Sequence, residues 1–186
     1  MDILNSLISY DKQLLLILHS KGSLLWDSFW LFVTNPIHWI PLFFVLLFLG
    51  YKVYDIKKSV LVTFFTILSG ATSLIIVNAI KNSVQRVRPI NDTSVNNSIR
   101  ILIEQNDFSF VSGHSTVSFT IAFISFWVLK NNYKMAFLIF LFPILFAYSR
   151  IYLAAHYPID ILFGMLLGYL IALIYYKLIQ HFVLEK

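Results

Sequence analysis

The chain has 186 residues, 59% hydrophobic and 17% aromatic but only 12% charged, with a mean hydropathy of +0.78, which excludes an ordinary soluble domain and reads as an integral membrane protein. Its formal charge of +5 comes from basic residues set between apolar runs, with no basic face or arm for nucleic acid, so anionic lipid and a phosphate-bearing substrate are the fitting partners. The absence of cysteine excludes a disulfide framework and any Cys-based metal or redox centre.

The first apolar residues, Leu4, Leu7, Ile8, Leu14, Leu15 and Leu18, recur at near-helical spacing, while Asp2, Asp11, Lys12 and Lys21 interrupt them. This pattern predicts an N-terminal amphipathic helix lying in the membrane interface rather than a cleaved signal peptide. Leu24 to Val33 is a second short apolar piece, with Trp26 and Trp30 suited to headgroup level. A span from Leu14 to Thr34 is the alternative, at the cost of burying Lys21 and Asp27. Five further stretches predict transmembrane helices: Trp39 to Tyr54, Ser59 to Ile80, Ser115 to Leu129, Met135 to Ser149 and Ile161 to Tyr176. The expected fold is therefore all-α: a polytopic membrane helix bundle with five transmembrane helices, six if the N-terminal region crosses. It forms one membrane-embedded domain over residues 1–186, with 1–36 interfacial or first-span and 37–186 the catalytic bundle.

Threading these spans alternately through a bilayer brings three polar fragments to one face: Lys81 to Pro89, Ser112 to His114, and Ser149 to Asp160. The opposite connections carry Lys52, Lys57, Lys58, Lys130 and Lys134, with Lys177 and Lys186 at the C-terminal end. The positive-inside rule puts that side in the cytoplasm of a bacterial cell and the three fragments at the periplasm or exterior, with Arg86 and Arg100 counting the other way. Ile90 to Asp107 is polar, rich in asparagine and serine, and fits a surface loop at the substrate entrance.

The residue types in these fragments suit phosphate chemistry. Lys81 and Arg88 are seven apart, two helical turns, and share one stripe if the helix persists to Pro89. Arg86 falls on another face and fits a basic side chain reaching to the membrane boundary. At Ser112-Gly113-His114 a loop enters a helix, where exposed N–H groups bind anions, glycine permits close approach and His114 can protonate a leaving oxygen. In the third fragment Pro158 suits a first helical turn, and the four-residue spacing of His156 and Asp160 lets the carboxylate hold one ring nitrogen and make the other nucleophilic. The plain alternative is that Asp160 merely neutralises Arg150. His19, His38 and His181 form no ligand set with His114 and His156, so no metal is expected.

These residues resemble the type 2 phosphatidic acid phosphatase superfamily, whose pattern is Lys, six residues, Arg-Pro; Pro-Ser-Gly-His; and Ser-Arg, five residues, His, three residues, Asp. Lys81 with Arg88-Pro89, Ser112-Gly113-His114, and Ser149-Arg150 with His156 and Asp160 match it, across about Ser59 to Tyr176. Val111 stands where the family usually has proline. The resemblance implies that His156 attacks phosphorus to give a phosphohistidine, Asp160 orients it, and His114 protonates the leaving group. Lys81, Arg88, Arg150, Ser112 and the Gly113 backbone would hold the phosphoryl oxygens, with no metal or other cofactor. The implied activity is a lipid phosphatase, and the short chain, which adds no domain for a bulky or soluble headgroup, makes undecaprenyl pyrophosphate the first choice. Phosphatidylglycerophosphate, phosphatidic acid and lipid A phosphate are the alternatives. Lipid phosphotransfer is a second enzymatic reading, and a phosphate-lipid binder or transporter a non-enzymatic one.

Overall fold

The computed structural model describes residues 2–185, and among them the chain is helical with no strand. Seven α-helices follow in order: α1 (Asp2–His19), α2 (Leu24–Val33), α3 (Ile40–Val53), α4 (Ile56–Val84), α5 (Gly113–Leu129), α6 (Leu141–Tyr152) and α7 (Pro158–Ile179). Single 3-10 turns extend α3 and α6 at their N-termini, at Pro36–Trp39 and Ala136–Phe140. Among the described residues three helical stretches are long and apolar enough to cross a membrane, Pro36–Val53, α4 within Ile56–Asn91, and Pro158–Leu184, while Gly113–Leu129 and Ala136–Tyr152 are apolar but shorter. The break at Ser20 to Ser23 separates α1 from α2, so Leu14 to Thr34 is not one continuous helix. Asp27, the charge that made such a span costly, instead accepts hydrogen bonds from Arg100 Nη1 at 2.8 Å and from the Tyr152 hydroxyl at 2.6 Å.

The centre of the bundle is α5, whose residues are small and hydroxylated where helices must approach closely: Ser115, Thr116, Ser118 and Thr120 are all buried. Against it lies α7, with Gly164 and Gly168 one turn apart. A Cβ at Gly164 would stand 2.8 Å from the Ser112 carbonyl oxygen, and one at Gly168 2.6 Å from the Thr116 carbonyl oxygen. Only glycine permits this backbone approach, which replaces side-chain interdigitation with direct van der Waals contact. Thr120 Oγ1 bonds across the seam to the Gly168 carbonyl oxygen at 3.1 Å. The apolar core below, Ile124, Val128, Leu129, Ala172, Ile179 and Val183, closes one end of the bundle. Phe44, Phe48, Phe64, Ile67 and Ile75 on α3 and α4 stay exposed, as expected of surfaces whose solvent is lipid.

The polar fragments gather at the other end. The helix α4 closes at Val84 because Gln85 takes a left-handed conformation (φ 52°), a common helix stop. Arg88 therefore lies beyond the helix in extended backbone, and the expected two-turn stripe from Lys81 to Arg88 does not form. The loop brings Arg88 to the site instead.

Candidate active site

Each helix end at this pole delivers one group. Ser112 caps α5, accepting the Ser115 N–H at 3.4 Å, and its own N–H donates to the Asp160 carbonyl oxygen at 3.1 Å. Pro158 opens α7 at the first helical position, and the Asp160 carboxylate folds back to accept the Tyr157 N–H at 2.9 Å, the geometry of a helix N-cap. Arg150 lies in the last turn of α6, and His156 in the connection that follows.

His156, 1% exposed, is held from both sides. Its Nε2 is 3.3 Å from Arg88 Nη1, which also donates to the Ala155 carbonyl oxygen at 2.6 Å. A guanidinium has no lone pair to offer, so Nε2 is the acceptor and the ring proton sits on Nδ1. That nitrogen faces Asp160 Oδ2 at 3.6 Å and Ser109 Oγ at 3.5 Å, while the Ser109 hydroxyl itself donates to Asp160 Oδ2. The serine thus stands beside the imidazole–carboxylate pair. Burial, and then the positive charges of Arg88, Arg150 and Lys81, push the His156 pKa well below its ordinary 6.5. At neutral pH the ring is uncharged, with the Nε2 lone pair turned to the cations, as a nucleophile requires.

The cations form a cluster around that lone pair. Arg150 is 2% exposed; its Nη1 donates to Thr34 Oγ1 at 2.5 Å, but Nε and Nη2 have no partner. Two guanidinium nitrogens without a partner among the described residues are costly in a buried site unless a ligand takes up their N–H groups. Lys81 Nζ and Arg88 Nη2 both bind the Asp107 carboxylate, at 2.5 and 2.6 Å. Burial would raise the Asp107 pKa, but the hydrogen bond from Lys81 and the charges of Arg88 and Lys81 outweigh it and hold the carboxyl below its ordinary value. The loop from Ile90 to Asp107 thus reaches the site, since its last residue supplies an anion to Lys81 and Arg88. His114, half-buried on the first turn of α5, packs its ring at 4.8 Å from Phe146, within range of the Arg150 charge.

All eight candidate residues, His156, His114, Asp160, Lys81, Arg88, Ser112, Gly113 and Arg150, therefore lie at one end of the bundle. Two readings are corrected. Asp160 does not pair with Arg150: its Oδ1 accepts Arg86 Nη1 at 2.6 Å. Arg86 accordingly is no boundary cation but part of the site, with its second branch on Asp11. Ser109, Asp107 and Asp11 had no motif to mark them; the one signal was Asp11 itself, a charge interrupting an apolar helix face.

The chain is 26% identical over 166 residues to the lipid A 4'-phosphatase of Bacteroides thetaiotaomicron, covering 85% of this chain and 72% of that protein. Its fold is similar to a crystal structure of a transmembrane PAP2 type phosphatidylglycerolphosphate phosphatase from Bacillus subtilis. The TM-score is 0.75 at 20% identity, over 96% of this chain and 88% of that one. Aquifex aeolicus LpxE matches with a TM-score of 0.66 at 25% identity, over 89% of this chain and 93% of its own. The PAP2 superfamily model matches residues 59–183, which hold every candidate residue above, and the chain belongs to the PAP2 superfamily.

Proposed function

We propose that this protein is a membrane lipid phosphatase that releases phosphate through a phosphohistidine on His156. The observation that carries the reading is the placement of His156 Nε2, unprotonated and beside Arg88, with its other nitrogen facing Asp160 and Ser109. The lipid phosphoryl group enters with its oxygens on Arg150 Nε and Nη2, Lys81, Arg88 and the α5 N-terminus at Ser112 and Gly113. Nε2 forms a bond to phosphorus as the bond from phosphorus to the lipid oxygen breaks, and His114 gives that oxygen its proton. The negative charge of the bound phosphate offsets the surrounding cations and lets His114 carry the proton it donates. Water then attacks phosphorus as it gives a proton to His114, which restores that residue, the N–P bond breaks to return the electron pair to His156 Nε2, and inorganic phosphate leaves. Three cations supply the charge stabilisation that a metal provides elsewhere, so the reading includes metal independence.

The relatives named above for lipid A 4'-phosphate and phosphatidylglycerolphosphate favour a lipid phosphate of this kind over undecaprenyl pyrophosphate, which no comparison specifically supports. The reading places residues 1–36 in the membrane interface and 37–186 as a single catalytic bundle of five spans, with the site at the periplasmic or outer surface. Lysines at the opposite end support that orientation, among them Lys52, Lys57, Lys58 and Lys130.

The test is phosphate release by the detergent-purified protein, with chelator present, from lipid A, phosphatidylglycerophosphate, phosphatidic acid and undecaprenyl pyrophosphate in parallel. Release that His156→Ala abolishes is the expected result. Folded protein that releases phosphate from none of the four would overturn the reading in favour of phosphotransfer or binding.

A further inference from the structure

Arg86 divides its guanidinium between two carboxylates. Nη1 donates to Asp160 Oδ1 at 2.6 Å and Nη2 to Asp11 Oδ2 at 2.7 Å; neither acidic side chain has exposed surface. The other oxygen of Asp11 accepts the Ile159 N–H at 2.9 Å, in the first turn of α7. The face of the guanidinium lies over the Tyr157 ring, 4.0 Å from its centroid. The planar fork fixes both bonds in direction, which a lysine ammonium could not do.

The geometry points to Asp11, on the N-terminal helix, as a remote positioning residue for the hydrolysis: through Arg86 it sets where the Asp160 carboxylate stands against His156. The inference rests on the phosphatase reading above. An arginine with one carboxylate partner favours the two-pronged arrangement, one N–H on each oxygen. Facing Asp160 alone, Arg86 would draw on Oδ2 as well as Oδ1. That is the oxygen that receives the Ser109 hydroxyl and the Tyr157 N–H and faces His156 Nδ1. Asp11 occupies the second branch and keeps Arg86 on Oδ1 only, leaving Oδ2 to the histidine side. Neither Asp11 nor Arg86 bonds to Lys81, Arg88 or Arg150, so the effect falls on the chemical step and not on phosphate binding.

The link also makes the seating of α1 part of the catalytic geometry. That helix exposes Ile3, Leu4, Leu7 and Ile17 on its outer surface and is joined to the polar loop by Lys12, which bonds Asp92 and Ser94 at 2.7 Å each.

The experiment compares the full-length wild type, Asp11→Asn, Asp11→Glu and Arg86→Lys in detergent micelles on the four lipids, with His156→Ala as blank. In Asp11→Asn, which retains an acceptor for the Ile159 N–H, kcat should fall about tenfold or more, as misplacement near a reacting group does. KM should stay within about threefold, because uniform binding is untouched. Asp11→Glu should recover much of the lost kcat, and Arg86→Lys, which cannot span both carboxylates, should lose as much as Asp11→Asn. A kcat within about twofold of wild type in Asp11→Asn, or a loss carried by KM, overturns the inference. If Asp11→Asn cannot be purified folded, wild-type kcat in Arg86→Lys overturns it equally. Wild type that is inactive on all four lipids overturns the phosphatase reading itself, a result distinct from the others.

Discussion

Arg150 and Asp107 show how the site handles three buried cations. Arg150 keeps two guanidinium nitrogens without partners among the described residues, an arrangement that favours uptake of phosphoryl oxygens because the donors are already buried away from water. Lys81 and Arg88 are instead occupied by Asp107, whose side chain is 58% exposed and hence free to swing outward. A carboxylate sitting on two cations competes with an incoming phosphate for the same donors. Asp107→Asn should therefore lower the inhibition constant of inorganic phosphate, by up to about tenfold given the modest net strength of a partly exposed charged bond. The check is product inhibition of phosphate release at fixed pH. Unchanged or weaker phosphate inhibition would mean that the carboxylate organises the cations instead of competing for them.

Among the elements, the α5–α7 seam decides the site, because it sets the height of Ser112 against Asp160. Gly168→Leu would drive a side chain into the Thr116 carbonyl oxygen, where even a Cβ would stand at 2.6 Å. The two helices must then separate, at a cost of about 1–3 kcal/mol for an overpacked position. Thermal unfolding of the purified protein should shift down, and kcat should fall with it, as the bond from the Ser112 N–H to the Asp160 carbonyl oxygen lengthens. Gly70→Ala on α4 is the contrast: its Cβ would meet only Val117 Cγ1, at an ordinary 3.7 Å. Since alanine favours helix over glycine by about 1 kcal/mol, this variant should unfold at the same temperature or higher.

For the whole molecule, the lack of cysteine makes orientation across the membrane directly measurable. Asn97, in the polar loop, and Asn131, in the turn between α5 and α6, are both exposed and lie at opposite ends of the bundle. With the site facing outward, Asn97→Cys should react with a membrane-impermeant maleimide on intact cells. Asn131→Cys should react only after the membrane is permeabilised. The reverse pattern would turn the site to the cytoplasm and limit its substrates to lipids of the inner leaflet.

Composition and apolar run length determined that the protein is helical and belongs to a membrane, since only helices or closed barrels satisfy the backbone in lipid. The alternation of runs and turns also determined that Lys81, Ser112, Arg150 and His156 meet at one pole, a consequence of chain direction that needs no side-chain detail. What the tertiary structure decided is who pairs with whom. Gln85 ended α4 early and sent Arg88 to His156 through a loop, so a helical periodicity argument could not place it. Arg86, not Arg150, took Asp160, and Asp11 came from 75 positions away to hold Arg86. Such pairings depend on the close approach that Gly164 and Gly168 permit and on which carboxylate each buried cation reaches. Those are long-range distances, and the spacing of residues along a helix does not encode them.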